Sequence, residues 1–98
     1  MTAKDKAEAA KIAKELLSKK MIACANIFEG VTSVYEWNGR LCEECEVVAV
    51  MKSRAELFER IKDEILSMHS YENPAIVCMK ADGASEAFTE WIERQTSG

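Results

Sequence analysis

From Thr2 to about Lys20, Ala9, Ile12, Ala13, Leu16 and Leu17 recur at three- and four-residue spacing, which predicts a helix with one apolar face. Thr2 and Asp5 fit a capping box at its start, and Glu15 stands four residues before Lys19 in the order that favours an exposed ion pair. The pattern then changes. Between Met21 and Phe28, Ile22, Cys24, Asn26 and Phe28 alternate with Ala23, Ala25 and Ile27, too apolar on both sides for a surface strand. Glu29-Gly30 reads as a bulge or bend, and pairing resumes at Val31 and runs to Trp37. Asn38-Gly39 marks a two-residue hairpin turn, because both central residues of a type I′ turn take positive φ. A partner strand returns from about Glu44 to Lys52.

Within it, Val47 to Met51 is apolar at every position, as expected of a strand covered on both faces. So short a chain has few elements to supply the second cover, and another copy of itself is the simplest source. Ser53 and Glu56 form a second capping box, and Leu57, Phe58, Ile61, Ile65 and Met68 give a helical stripe to about His69. Pro74 opens a short strand, Ala75 to Met79, which Asp82-Gly83 ends. A last helix is expected from about Ser85, burying Phe88, Trp91 and Ile92.

The resulting order is α-β-β-α-β-α, which lacks a strand at its front. In a split β-α-β arrangement the first strand lies mid-sheet, and losing about three of its core side chains would cost about 5–9 kcal/mol. That is comparable to the whole stability of a domain. The first strand is therefore expected to be cut short at the start of this chain, or its place to be filled by another segment.

Ninety-eight residues, 48% hydrophobic and 31% charged, describe one globular domain over residues 1–98. A net charge of −4 argues against nucleic acid as a partner, since that binding begins with clustered Lys and Arg. No apolar run approaches the ~18 residues of a membrane span, and the charged N-terminal segment has no signal-peptide core. A soluble, cytoplasmic protein is expected, with Cys24, Cys42, Cys45 and Cys78 as thiols.

Three stretches together carry a family resemblance: Lys20-Met21-Ile22-Ala23-Cys24-Ala25-Asn26-Ile27, then Val31-Thr32-Ser33-Val34-Tyr35-Glu36-Trp37-Asn38-Gly39, then His69-Ser70-Tyr71-Glu72-Asn73-Pro74. The chain resembles the CutA, or divalent-cation tolerance, family over nearly its whole length. The resemblance implies an α+β, ferredoxin-like split β-α-β subunit with an antiparallel sheet, assembled as a homotrimer of the architecture shared with PII-type signalling proteins. It matches Met1-Thr2-Ala3 to the close of the family's first strand. It implies copper or another divalent cation as ligand and a non-catalytic response to metal. The alternative is a PII-like module that binds a small anionic effector between subunits.

The family's proposed copper ligands, a Cys and two adjacent His, fall on Met1, Met68 and His69 here. Only His69, the sole histidine, is unchanged. Thioethers favour Cu(I), so a Met/His set could hold a soft ion, but Met68 and His69 are helix neighbours pointing about 100° apart, and a helix-end histidine stabilised by the helix dipole is the preferred reading. Cys42 and Cys45 invite a zinc or redox reading. In an extended strand, however, they would lie on opposite faces roughly 10 Å apart, too far to share an ion or a disulfide. Cys24 has no base beside it in the pattern and reads as packing. Tyr35, Trp37 and Tyr71, on a hairpin and a loop, are candidates for a subunit interface or ligand cleft. Glu72 is placed with them, and Arg40, Lys52 and Arg54 are available for an anion. The chain shows no nucleophile-base pair, paired histidines or Gly-rich phosphate loop, so no enzyme is expected.

Overall fold

The computed structural model describes residues 1–98. Its elements are β1 (Thr2–Ala3), α1 (Lys6–Ser18), β2 (Cys24–Trp37), β3 (Arg40–Lys52), a 3-10 turn (Ala55–Leu57), α2 (Phe58–Met68) and α3 (Glu86–Gln95). The three strands form one antiparallel sheet in the order β1-β3-β2. No helix is long and apolar enough to cross a membrane.

The long hairpin dominates the shape. At roughly 3.3 Å per residue its fourteen-residue β2 strand extends about 45 Å, and the molecule measures 45 Å along its longest axis. Asn38 (φ 52°) and Gly39 (φ 76°) make the turn in the left-handed conformations that a type I′ hairpin requires. The ladder pairs Trp37 with Arg40, Tyr35 with Cys42 and Ser33 with Glu44, and it starts at Arg40, four residues earlier than the hydrophobic pattern suggests.

The ladder breaks once. Phe28 pairs with Val48 and Val31 with Glu46, so β2 spends three residues where β3 spends two. Gly30, at φ 73°, absorbs the extra residue. Side chains alternate across a strand, so even-numbered residues of β2 point away from the helices before the bulge and odd-numbered ones after it.

The helices cover only the half of the sheet remote from the turn. Ile12, Ala13 and Leu16 of α1 meet Ile61 and Ile65 of α2, with Ile22 and Leu57, in the main core, while Ala3, Ala9 and Val47 form a smaller cluster beside it. Only 15 of 98 residues are buried, which leaves much of the apolar complement at the surface. On the distal hairpin Leu41 is 81% exposed and Val34 63% exposed.

Four expectations need correction. Asp5, not Thr2, caps α1, accepting the Glu8 N–H at 2.8 Å, and Thr2 belongs to β1. Ser53 caps nothing: its hydroxyl donates to the Met21 carbonyl at 2.6 Å, and α2 begins only after the 3-10 turn. Ala75 to Met79 forms no strand, because two-residue β1 offers it one hydrogen bond, from Thr2 N–H to Ala75 O at 3.3 Å, and Val77 and Met79 stand exposed. Helix α3 buries none of its residues. Phe88 and Trp91 stack on each other at 5.7 Å, and the helix is tied down at its C-terminal end, where Arg54 Nε and Nη2 donate to the buried Thr96 hydroxyl and carbonyl at 2.9 Å each.

Candidate functional site

Pairing from the hairpin turn decides what shares a face. After Gly30 the odd-numbered Tyr35 and Trp37 lie on the same face as Glu44 and Glu46 of β3, the face turned away from the helices. The chain leaving α2 passes over the edge of this surface. Tyr71, Glu72, Asn73 and Ala75, with Thr2, close a cleft of about 490 Å³ against Tyr35, Trp37, Glu44 and Glu46.

Three aromatic rings and three carboxylates line the cleft, with no basic side chain. Glu46 is the innermost acid, 8% exposed. The Tyr71 hydroxyl donates to its Oε2 at 2.7 Å. Burial, and then the Glu46 carboxylate, hold the Tyr71 phenol above the ordinary tyrosine range. Tyr35 is pushed the same way, first by desolvation and then by Glu44.

The segment carrying Tyr71 is pinned from below. His69 Nε2–H donates to the Thr2 carbonyl at 2.8 Å, and its Nδ1 accepts the Tyr71 N–H at 3.0 Å. A carbonyl can only accept, so the ring is held as the Nε2–H tautomer. Beside it Glu8 accepts N–H bonds from Ser70 at 2.9 Å and Lys4 at 3.3 Å. Partial burial would raise the Glu8 carboxyl, but the hydrogen bonds with Ser70 and Lys4 outweigh it and hold the carboxyl below its usual range.

Of the residues singled out from sequence, Tyr35, Trp37, Tyr71 and Glu72 come together in the cleft. Arg40 pairs with Trp37 at the hairpin tip but does not line it. Lys52 lies at the opposite end of the hairpin and donates to Asn26 Oδ1, and Arg54 is engaged with Thr96. No cation from that set reaches the cleft within one chain.

His69, Met68 and Met1 do not fit a metal centre within one chain. Both histidine nitrogens are occupied, and Met1 and Met68 pack against the main core. No three His, Cys, Asp or Glu side chains converge anywhere at coordinating distance. All four cysteines are free, and Cys42 and Cys45 sit in extended β3 opposite Tyr35 and Thr32, so alternation puts them on opposite faces.

Glu44 and Glu46 were not singled out from sequence, since acids alternating on a strand read as a solvated face. Counting register back from the Asn38-Gly39 turn puts Glu44 opposite Ser33, two residues from Tyr35, and that signal was available.

Residues 1–95 match the family model described as CutA1 divalent ion tolerance protein. The divalent-cation tolerance protein CutA of Archaeoglobus fulgidus is 38% identical over 93 residues, covering 95% of this chain and 90% of that protein. Its counterpart in Pyrococcus horikoshii is 38% identical over 88 residues, covering 90% and 85%. The solved structure described as the periplasmic divalent cation tolerance protein CutA from Archaeoglobus fulgidus superimposes with a TM-score of 0.95 at 36% identity, over 98% of this chain and 93% of that one. Sequence and backbone agree along almost the entire length, and the chain belongs to the CutA1 divalent ion tolerance protein family.

Proposed function

We propose that the chain works as a homotrimeric, non-catalytic binding module of divalent-cation tolerance, active in the cytoplasm, whose ligand face is the cleft between the distal hairpin and the Tyr71 segment. One observation carries the reading: Glu44, Glu46 and Glu72 line a single cleft whose walls hold no positive charge. Such a surface concentrates cations, copper or another divalent ion among them. One chain supplies too few converging donors to chelate an ion, so a neighbouring copy completes the coordination. Self-association is supported by the bare apolar surface of the hairpin, where Val34 and Leu41 have no cover of their own. Four free thiols suit a reducing compartment.

Light scattering of the purified chain, followed by calorimetric titration with Cu²⁺, tests this. A trimer is expected, with ion binding weakened by Glu44→Gln or Glu72→Gln and unchanged by His69→Ala. A well-folded monomer, or binding that follows His69 and ignores the glutamates, overturns the reading.

A further inference from the structure

We infer that a second copy of the chain completes this cleft, its Lys52 ammonium seated against Glu46 among the rings of Tyr35, Trp37 and Tyr71. The inference rests on the reading of the chain as a homotrimer and names the residue that one subunit lends to the next.

Glu46 is the first pointer. A carboxylate this deeply buried ordinarily has a cationic partner, yet the four ion pairs of the chain, Lys19 with Glu15 and Glu64, Arg54 with Glu56, and Lys62 with Glu59, leave it out. Its only hydrogen bond is the neutral one from Tyr71 to Oε2. The aromatic walls around it also favour a cation, because ring faces attract positive charge.

Lys52 is the second, and it stands on the same side of the sheet. Strand alternation puts Glu44, Glu46, Val48, Val50 and Lys52 together on the face turned away from the helices. No acid of the chain pairs with Lys52; its ammonium donates to the neutral Asn26 Oδ1 and has two more protons to give. From Glu46 to Lys52 is roughly 20 Å of extended strand, so the two charges cannot meet within one molecule.

The surface between them is apolar and uncovered. Phe28, opposite Val48, is 55% exposed, and Val50 is 41% exposed. In a threefold ring every contact is head-to-tail, so the acidic end of this face meets the basic end of the next copy's, and one contact closes the apolar strip and pairs both charges. Arg40 shares the face but sits at the turn, on the acid side of that strip. With Lys52 on Glu46, the exposed Glu44 and Glu72 remain free to attract a metal cation.

A double-mutant cycle on the assembled protein tests this. Light scattering sizes the parent chain, and native mass spectrometry then follows subunit exchange between nitrogen-14 and nitrogen-15 assemblies of the parent, Lys52→Met, Glu46→Gln and the double variant. Glutamine keeps an acceptor for the Tyr71 hydroxyl, so Glu46→Gln spares that bond. Each single change is expected to speed exchange about tenfold or more, and the double variant to exchange no faster than the faster single one, since either change alone removes the pair. Lys52→Arg, which keeps the charge, is expected to stay near the parent rate. A trimer in which the two changes multiply, or in which neither alters exchange, overturns the inference and leaves the trimer standing. A parent chain that is monomeric at micromolar concentration removes both.

Discussion

Tyr71 reaches 2.7 Å from its hydroxyl to Glu46 Oε2, joining the chain after α2 to the middle of β3. The contact holds one wall of the cleft and is the only intramolecular hydrogen bond to a buried acid. Removing the hydroxyl while keeping the ring isolates its energetic role. Tyr71→Phe should cost about 1–3 kcal/mol, the penalty for stranding a buried polar group. In a domain of this size that lowers the melting temperature by roughly 4–8 °C for each kcal/mol. An unchanged melting curve would show that water replaces the hydroxyl at no cost.

The same pair sets an alkaline limit. Tyr71 is held protonated by burial and by Glu46, so its folded pKa lies above the unfolded value near 10. Below pH 10 both states keep the proton and stability does not depend on this group. Above it the unfolded chain ionises first, and stability falls as pH rises. Denaturant midpoints measured from pH 9 to 11.5 should decline for the parent chain and decline less for Tyr71→Phe. Parallel curves for the two proteins would contradict the assignment.

His69 donates from Nε2 and accepts at Nδ1, which leaves no lone pair for a metal. Nitrogen-15 spectra should show the Nε2–H tautomer, and one equivalent of Zn²⁺ should leave the ring resonances in place. Loss or shift of those signals at stoichiometric metal would show that the ring leaves Thr2 to ligate.

Gly30 stands at φ 73° with open space where a Cβ would go. Gly30→Ala therefore meets no clash and feels only the backbone penalty of a left-handed residue, about 1–2 kcal/mol. Chemical denaturation should register that loss, whereas Gly83→Ala, where φ is not positive, should be nearly silent.

Arg54 makes two hydrogen bonds to Thr96, the buried residue that caps the C-terminal end of α3. Arg54→Met should speed amide exchange throughout α3 and leave the amides of α1 protected. Uniform loss of protection would mean that α3 and the main core unfold as one unit.

Much of this architecture was legible where local chemistry decides the outcome. Asn38-Gly39 marked the hairpin turn and Glu29-Gly30 the bulge, because each needs a conformation that few residues adopt. Ile61 and Ile65 were placed in the core by spacing alone. Legibility failed where a residue depends on a neighbour. Val77 and Met79 look like strand residues, but a strand exists only beside a partner with free backbone groups, and β1 gives one. Phe88 and Trp91 look like core residues, but the chain offers α3 too little surface to bury them. In the cleft, Tyr35, Trp37, Tyr71 and Glu72 stood out by residue type, whereas Glu44 and Glu46 emerge only once register is known.

The single added residue between Phe28 and Val31 is a half-period phase shift in a pattern that repeats every two residues. Because β3 runs unbroken and the Asn38-Gly39 turn fixes the pairing beyond the bulge, Tyr35 stays opposite Cys42 and Trp37 opposite Arg40 whatever the length of β2 between Phe28 and Val31. Deleting Gly30 would therefore close the bulge into an even ladder and leave the aromatic pair on its face, removing only the local bend and extra twist that the added residue gives the strand.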